Sequence, residues 1–552
     1  MKLRQEAIAR LDNLRTPDVL ILGGGVNGIA TLRDLALNGV SAVLIERGDF
    51  CRGASGASSR MAHGGLRYLE NREFDLVRDA LEERDLLLKH APHAVVPQAF
   101  LLPVEHRLRG TFGAALKFLG MGGRTSQPSA LGMKAALMIY DRFQTSAALP
   151  RHKMTLSRVD LPIGTQARFG ASLSYFDGKF CNPEGLVFEL LQEALDQSSD
   201  VTALNHVDFQ CLTDGTITLK GDGVRADITP RLIINATGAW LDRTNALLDV
   251  PTDYVTAVKG AQIVLNRPDL LQRLAGRALY FPDTGGRFVI CAPLDQTVLV
   301  GTSEVVVPDA SDATIASAEI DYLLQAMNTL FADLRVTEDD ILVATTGARP
   351  LQKVKGGNVT AAPRGHVIHV DETPAGQPLM SLAGGKWTTF RGFAEEAADQ
   401  ALKALGKART VSTRTRGYAG TPTADTPADP RDRQLAERYG GLWQAVSAFC
   451  AEEADAPLDD APGFSQREIV WLVQGRGALH LDDLILRRTR LALEQPIEDA
   501  LLDELAGIMA QALDQTAAWA DSEVRRIRAL PTVSYQSARA LAAQDNTAMI
   551  AR

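Results

Sequence analysis

Residues 18–28 read DVLILGGGVNG, a short apolar run that leads directly into a cluster of glycines. Apolar residues then recur at helical spacing over residues 30–36, and Gly39 is well suited to end that helix. A second apolar run follows at residues 41–46, which read SAVLIE. This order predicts a βαβ unit at the start of the fold, with a buried strand on each side of the helix.

The glycines Gly23, Gly25 and Gly28 satisfy the pattern G-x-G-x-x-G. The first glycine permits a tight turn, the second lets the backbone approach a pyrophosphate, and the third lets helix and strand pack closely. The helix that begins near Asn27 offers free N–H groups to an anion. Glu46, 18 residues after Gly28, is placed to bind ribose hydroxyls. The stretch therefore predicts a dinucleotide site rather than a glycine-rich turn without a ligand, and by itself it leaves FAD and NAD open.

Length, charge and cysteine content limit the class of protein. A chain of 552 residues is too long for one hydrophobic core, so we expect roughly two or three domains. The net charge of −9 argues against a nucleic-acid partner. The five cysteines form no C-x-x-C pair, which favours a reducing compartment without a disulfide framework or a metal site. Residues 1–15 lack the core of a signal peptide, and no apolar run could span a bilayer, so we expect a cytoplasmic protein.

The rest of the chain divides by its patterns. An amphipathic helix is predicted over residues 73–90, and the stretch 411–431 is rich in Thr, Pro, Ala and Gly, which is typical of a linker. Strands are predicted in the middle of the chain at 216–220, 231–236, 287–291 and 297–301. After the linker the apolar spacing is helical. We predict a discontinuous nucleotide-binding domain (1–90, 151–250 and 341–410), a β-rich substrate or cap domain (91–150 and 251–340), a linker (411–430) and a helical C-terminal domain (431–552).

Several longer motifs, spread over most of the chain, resemble one known family. They are SSRMAHGGLRYLE at 58–70, IINATGAW at 233–240, KGAQIV at 259–264, GARPL at 347–351, GGKWTT at 384–389 and LDDLILRRTRLAL at 481–493. Together with the glycine loop they resemble the FAD-dependent, membrane-associated glycerol-3-phosphate dehydrogenases. The most specific motif is HGGLRYLE, which a soluble NAD dehydrogenase is not expected to carry.

The resemblance implies an α/β fold of the glutathione-reductase/D-amino-acid-oxidase type. In such a fold a Rossmann-like FAD-binding domain is joined to a β-rich substrate domain and, here, to a helical C-terminal domain. FAD is the implied cofactor, and because the sequence shows no signature of covalent attachment, we expect it to be bound without a covalent link. Its predicted binding residues are Gly23, Gly25, Asn27, Gly28, Glu46, Ser58, Ser59, His63, Gly65, Thr237, Gly238, Gly385, Lys386 and Thr388.

Arginines in the matching motifs suit an anionic substrate, since a guanidinium gives phosphate two parallel, charge-assisted hydrogen bonds. Three arginines match family positions that surround the substrate, namely Arg67, Arg349 and Arg364. Tyr68, which follows Arg67, matches another of these positions. Lys386 matches the loop that approaches the flavin ring, where a cation stabilises negative charge on the reduced flavin. For any single arginine the other interpretation is a surface ion pair.

The resemblance implies oxidation of sn-glycerol 3-phosphate to dihydroxyacetone phosphate, with the substrate hydride passing to flavin N5 and the electrons passing onward to a quinone. The catalytic candidates are Arg349, Lys386, Gln262 and Lys259. The expected partners are the polyol phosphate, the quinone, the inner face of the cytoplasmic membrane as a peripheral contact, and a second copy in a homodimer. Residues 110–124 (GTFGAALKFLGMGGR) are the predicted membrane segment, with buried packing as the alternative.

One departure from the family pattern keeps other functions open. The family commonly has KGSH where this chain has Lys259-Gly260-Ala261-Gln262, and a glutamine cannot accept a proton at neutral pH. Another polyol phosphate, such as a tetritol phosphate, is therefore an alternative substrate. An amine or amino-acid oxidase and a non-catalytic flavoprotein are the alternatives from other classes.

Overall fold

We describe the protein from a computed structural model. The structure describes residues 2–65, 73–105, 130–146, 148–166, 168–283, 285–353, 365–422 and 427–540. Within those ranges no helix is both long enough and apolar enough to cross a membrane.

The strands of the described residues are numbered along the chain. They are β1 (Val19–Leu22), β2 (Ala42–Ile45), β3 (Met61–Ala62), β4 (Val95–Val104), β5 (Lys153–Thr155), β6 (Ala171–Phe180), β7 (Val201–Leu204), β8 (Val207–Cys211), β9 (Ile217–Gly221), β10 (Val224–Ile228), β11 (Leu232–Asn235), β12 (Val255–Leu265), β13 (Ala278–Pro282), β14 (Phe288–Leu294), β15 (Thr297–Gly301), β16 (Val305–Val306), β17 (Ile341–Gln352), β18 (His366–Glu372) and β19 (Pro378–Gly384). The predicted strands at 216–220, 231–236, 287–291 and 297–301 are confirmed as β9, β11, β14 and β15.

The helices of the same residues are numbered in the same way. They are α1 (Lys2–Asn13), α2 (Val26–Leu37), α3 (Phe74–His90), α4 (Ala130–Phe143), α5 (Pro183–Gln197), α6 (Leu241–Leu247), α7 (Pro268–Leu274), α8 (Ser317–Leu330), α9 (Phe390–Leu405), α10 (Pro430–Tyr439), α11 (Trp443–Cys450), α12 (Gln466–Arg476), α13 (Leu481–Asp483), α14 (Leu491–Glu494), α15 (Asp499–Ala512) and α16 (Ala517–Arg528). A π-helical turn, Leu484–Arg488, continues α13. The predicted amphipathic helix over 73–90 is confirmed as α3.

The first sheet has the order β18-β19-β11-β1-β2-β7, and its strands are parallel except for β18. All residues of β1, β2, β7 and β11 are buried, as expected for strands covered on both faces. Helix α2 packs against α5 and α9. The predicted βαβ unit is confirmed as β1–α2–β2, with Gly39 in the left-handed region just after the helix.

The second sheet has the order β16-β12-β15-β14-β13-β4-β6-β3, with β17 paired to β12 and β5 paired to β6. This pairing corrects part of the predicted domain division. Strands in residues 153–180 and 341–352 belong to this sheet, although the sequence analysis assigned those stretches to the nucleotide-binding domain. The reason is physical: membership of a sheet is decided by hydrogen bonds between distant strands, and the local pattern of a strand does not specify its partner.

The helices α10–α16 form a C-terminal bundle whose core includes Leu472, Leu501, Leu505 and Met509. The helical character predicted for this region is confirmed. The described part of the predicted linker is not a free spacer, because Tyr418 is buried in the core of the first sheet and its helices. The segment has the composition of a linker, but it packs against the first sheet and its helices.

Candidate active site

The carboxyl ends of four strands of the first sheet meet at one edge. Because β1, β2, β11 and β19 run parallel, the turns after them lie side by side, which is where open α/β sheets bind ligands. A cavity of about 530 Å³ opens there. Its lining includes many of the predicted cofactor residues, namely Gly23, Gly25, Asn27, Glu46, Thr237, Gly238, Gly385 and Lys386.

The glycine loop after β1 is shaped by close contacts. A Cβ on Gly28 would lie 2.0 Å from the carbonyl oxygen of Gly23, so only glycine fits there. Gly28 does not line the cavity, and its role is to let α2 begin directly against the strand end. The first backbone N–H of α2, on Val26, donates to Ser55 Oγ at 3.1 Å. The helix N-terminus and a hydroxyl thus face the cavity together, an arrangement suited to a pyrophosphate.

Glu46 follows β2 and closes another wall of the cavity. Its carboxylate accepts hydrogen bonds from the backbone N–H of Gly24 at 2.8 Å and of Gly48 at 2.7 Å. Burial raises the pKa of Glu46, and these two hydrogen bonds oppose the rise. The carboxylate is therefore fixed beside the glycine loop, at the place where the dinucleotide fingerprint requires an acceptor for ribose hydroxyls.

The turn after β19 brings a positive charge to the opposite end of the cavity. Lys386 lies in this turn, which continues through a single 3₁₀ turn into α9. Its neighbour Trp387 donates from Nε1 to the carbonyl of Ser55 at 2.9 Å. Thr388 Oγ1 accepts from the N–H of His63 at 3.1 Å and donates to the carbonyl of His63 at 3.2 Å. Burial and the charge of Lys386 lower the pKa of His63 to about 4, so this imidazole is neutral at neutral pH.

One face of the second sheet carries Arg349 and Gln262. Cross-strand partners in an antiparallel pair share a face, and Arg349 pairs with Val258 while Gln262 pairs with Thr345. The guanidinium of Arg349 crosses Gly260 and donates to Thr302 Oγ1 at 2.8 Å.

Gln262 is buried, and its Nε2 donates to the carbonyl of Ala57 at 3.1 Å. A Cβ on Gly347, which lies beside it on the same face, would stand 2.8 Å from the Cβ of Ala57. This strip of the second sheet therefore rests against the segment that also supplies Ser55 to the cavity.

Comparisons with known proteins agree with this geometry. The family described as "FAD dependent oxidoreductase" matches residues 18–391, and the "C-terminal domain of alpha-glycerophosphate oxidase" matches residues 380–523. A glycerol-3-phosphate dehydrogenase of Mycobacterium leprae is 32% identical over 92% of this chain and 86% of its own. The chain belongs to the FAD-dependent glycerol-3-phosphate dehydrogenase family.

Two further members of the family are similar over nearly the whole chain. The aerobic glycerol-3-phosphate dehydrogenase of Escherichia coli is 27% identical over 86% of this chain and 94% of its own. The structure of the glycerol-3-phosphate dehydrogenase from Bacillus halodurans, complexed with FAD, matches with a TM-score of 0.70 and 20% identity, over 97% of this chain and 98% of that one. The predicted cofactor, fold class and type of enzyme are confirmed.

The residues around the cavity fit FAD. The Oδ1 atom of Asn27 is buried, and no described residue donates a hydrogen bond to it, so an acceptor is available at the glycine loop. Gly25 presents only backbone toward Ser55, since a Cβ there would stand 3.2 Å from the hydroxyl oxygen. Together with the fixed carboxylate of Glu46, the chain offers an anion site and a ribose acceptor within one cavity.

Some predicted site residues lie elsewhere. Ser58, Ser59, His63, Gly65 and Thr388 do not line the cavity, although His63 and Thr388 brace its Lys386 end. The hydroxyl of Ser58 instead accepts from the N–H of Arg60, two residues on. Predicted residues that lie outside the described ranges are Arg67, Tyr68 and Arg364, together with the predicted membrane segment 110–124.

The structure contradicts the catalytic assignment of Lys259. This residue pairs with Ala348, so its side chain leaves the face of β12 opposite to that of Gln262. Its Nζ forms an ion pair with Glu319 at 2.6 Å and donates to the carbonyl of Thr314 at 2.7 Å. Because side chains alternate along a strand, Lys259 and Gln262 of the motif KGAQ lie on different faces of the sheet, and neither lines the cavity.

Other residues of the site were missed. Ser55 and Trp240 line the cavity, and Arg287 brings a second guanidinium to Thr302, whose carbonyl accepts from its Nη2 at 3.2 Å. Ser55 lies three residues before the motif at 58–70, and Trp240 is the last residue of the motif at 233–240, so these motifs were the available signal for both. For Arg287, only the packing of distant segments identifies it.

Proposed function

We propose that this protein oxidises sn-glycerol 3-phosphate to dihydroxyacetone phosphate. The observation that carries the proposal is the position of Arg349. Its guanidinium lies across Gly260, on the sheet face that contacts Ala57, in the segment that also supplies Ser55 to the cavity. A guanidinium in such a place supplies the charge-assisted hydrogen bonds that a phosphate monoester needs. The relatives that carry the name glycerol-3-phosphate dehydrogenase support the same substrate.

The residues would divide the work between binding and charge stabilisation. When bound, FAD supplies the acceptor for the two electrons and the hydrogen that leave the substrate carbon as hydride. Arg349 holds the phosphate, and this remote binding energy positions the carbinol carbon for transfer. Gln262, whose amide is oriented by its bond to the carbonyl of Ala57, donates to or accepts from the substrate hydroxyl.

The hydroxyl proton needs a route that uses neither Gln262 nor Lys259 as the base. Gln262 cannot accept it, and Lys259 is held by Glu319 on the other face of the sheet. We therefore infer that the proton leaves to water while Lys386, which lines the cavity, stabilises the developing negative charge on the substrate oxygen. Cations near the alkoxide reduce the need for a dedicated base.

The substrate class is tested with a panel of phosphorylated and unphosphorylated polyols, tetritol phosphates included. We expect the largest kcat/KM with sn-glycerol 3-phosphate and a much smaller value with glycerol. A larger value with a tetritol phosphate would assign the protein to that substrate. Release of hydrogen peroxide with amino acids, and no oxidation of polyol phosphates, would overturn the proposal in favour of an amino-acid oxidase.

A peripheral membrane contact is proposed from a patch on the second sheet. Helix α4 exposes Leu131 at 43% and Met138 at 58%, and the segment after β5 exposes Val159 at 78%. Arg142 on α4 and Lys153 on β5 are also exposed, and both elements adjoin β6. Apolar side chains bordered by cations suit an anionic bilayer surface, where a quinone would accept the electrons.

The patch is tested by co-sedimentation with vesicles that contain anionic lipid. Met138→Glu should weaken binding, whereas Val370→Glu, which changes an equally exposed residue (62%) on β18, should not. Equal binding by both variants would exclude this patch. Reduction of a soluble quinone analogue, compared with oxygen, tests the acceptor. The homodimer stays a prediction, to be measured by sedimentation.

A further inference from the structure

Asp49, in the turn after β2, is fully buried and is bound by two consecutive arginines. Its carboxylate accepts from Nε of Arg487 and from both Nη atoms of Arg488, one of them at 2.8 Å. Asn205 adds a fourth hydrogen bond at 2.9 Å. Burial alone would raise the pKa of Asp49, but the charges of Arg488 and Arg487 hold it well below its ordinary value. The aspartate is thus a charged anchor with its acceptor capacity occupied.

The anchored turn also holds the glycine loop of the cofactor site. Gly24 donates its N–H to the carboxylate of Glu46 at 2.8 Å and accepts at its carbonyl from the N–H of Cys51 at 2.9 Å. Both backbone groups of Gly24 are therefore bound to residues 46–51, the turn that carries Asp49. Any displacement of this turn displaces the ribose acceptor and the glycine loop together.

The two arginines come from the C-terminal bundle, more than 430 residues away in the chain. They lie in the π-helical turn Leu484–Arg488, where the N–H of Thr489 donates to the carbonyl of Leu484 at 2.9 Å. Arg488 also donates to the carbonyls of Arg476 and Gly477, both at 3.1 Å. These two hydrogen bonds hold the guanidinium of Arg488 in place within the C-terminal bundle, in addition to its bonds to Asp49.

A metal ion is a poorer explanation for this cluster. Asp49, His206 and Asp483 lie close enough together for their ligand atoms to share an ion. However, the carboxylates of Asp49 and Asp483 already accept from Arg487, at 2.8 Å in the case of Asp483. Two guanidinium groups neutralise the site that a cation would need, so the cluster is an ion-pair network.

We propose that Arg487 and Arg488 are positioning residues for FAD, and that the C-terminal domain thereby retains the cofactor. The domain would hold the 46–51 turn in the conformation in which Glu46 faces the ribose and Gly23 and Gly25, on either side of Gly24, face the pyrophosphate. Without this hold, the turn and the glycine loop sample other conformations, and FAD dissociates more readily. The proposal rests on the FAD cofactor and not on the identity of the substrate, so a failure of either one is recognisable separately.

The test compares Arg488→Met with a matched variant of the same domain. Arg438 forms an ion pair with the buried Glu468 and donates to the carbonyl of Gly463 at 3.0 Å, and every one of these partners lies within the C-terminal bundle. Arg438→Met should therefore lower Tm without changing the affinity for FAD. The dissociation constant is measured by flavin fluorescence on full-length protein, beside Tm of the apo and holo forms.

We expect Arg488→Met to raise the Kd for FAD at least about tenfold, while Arg438→Met changes it less than about twofold for a similar loss of Tm. Arg488→Lys, which keeps the charge, should recover part of the affinity. An equal rise in Kd for both methionine variants would show that the domain acts only through global stability. Unchanged FAD affinity in Arg488→Met, or in Arg488→Lys should the methionine variant not fold, would overturn the proposal.

Discussion

The guanidinium of Arg349 lies directly over the Cα of Gly260, so that a Cβ built on Gly260 would stand 2.4 Å from Nη2. The absence of a side chain at this position of β12 is what allows the arginine to cross the strand and reach Thr302. Because φ of Gly260 is not in the left-handed region, alanine is compatible with the backbone there. The contact can therefore be tested without disrupting the strand.

Gly260→Ala should displace the guanidinium of Arg349 and raise KM for the phosphorylated substrate by about tenfold, equivalent to about 1.4 kcal/mol of binding. The loss should be much smaller for glycerol, which has no phosphate. Gly507→Ala is the control, since a Cβ at Gly507 meets no atom within 4 Å. Wild-type kinetics in the Gly260→Ala variant would contradict the role assigned to this contact.

Arg349→Ala removes the phosphate contact itself. We expect kcat/KM for sn-glycerol 3-phosphate to fall at least about tenfold, because a charge-assisted bidentate contact exceeds about 1.4 kcal/mol. Parallel assays with an unphosphorylated polyol supply the comparison. If both substrates lose the same factor, Arg349 is structural and the phosphate is bound elsewhere.

Substitutions at two glycines of the loop are expected to have two distinct effects, one on the cofactor and one on folding. Gly25→Val should fold and purify mostly without FAD, because the valine side chain would occupy the approach to Ser55 and the helix N-terminus. Gly28→Ala should instead impair folding, since its Cβ would overlap the carbonyl oxygen of Gly23 at 2.0 Å. The ratio of flavin to protein absorbance, measured beside soluble yield, separates the two effects. Full flavin occupancy in Gly25→Val would be inconsistent with the site.

The cofactor half of the site was predictable from the sequence because its determinants are local. A strand, a glycine loop, a helix and an acidic residue follow one another within residues 18–46, and each position has its own physical requirement. The substrate half was less predictable. Lys259 and Gln262 are three residues apart in one strand, so they point to opposite faces, and the sequence does not show which of them contacts Ala57 beside the cavity.

The C-terminal contribution was not predictable in the same way. Arg487 and Arg488 belong to a motif that marked the family, but nothing local connects them with Asp49. A buried ion pair between residues more than 430 positions apart is a property of domain packing. The packing of residues 411–422 was not predictable for a similar reason. A composition typical of linkers does not indicate whether the segment packs against a neighbouring domain.

The lowered pKa of His63 predicts that the stability of the folded protein decreases in acid. Its pKa is about 4 in the folded protein, against an ordinary value of 6.5, so between these values the unfolded chain binds the proton more readily. Stability from this residue is therefore complete above pH 6.5 and is lost as the pH falls toward 4. Relative to His63→Gln, the wild type should lose more Tm between about pH 8 and about pH 5. A Tm difference that is independent of pH would show that His63 is not held neutral.

Gln262 gives the clearest prediction about the base. Gln262→His introduces a titrating group with an ordinary pKa of about 6.5 at a buried position whose side chain now donates a hydrogen bond to the carbonyl of Ala57. Its pH–rate profile should gain a limb that the wild type lacks, with kcat changed by about tenfold or less. An inert wild type rescued by Gln262→His would show that a base is required, and that the natural substrate of this chain is a different one.

Anaerobic titration with sn-glycerol 3-phosphate tests the central claim most directly. The protein as purified, with its FAD, is mixed with the substrate in the absence of oxygen, and the flavin absorbance is followed. The account predicts bleaching by one equivalent of sn-glycerol 3-phosphate, formation of dihydroxyacetone phosphate, and no bleaching by glycerol at the same concentration. A flavin that stays oxidised with sn-glycerol 3-phosphate, while another polyol phosphate or an amino acid reduces it, would contradict the account.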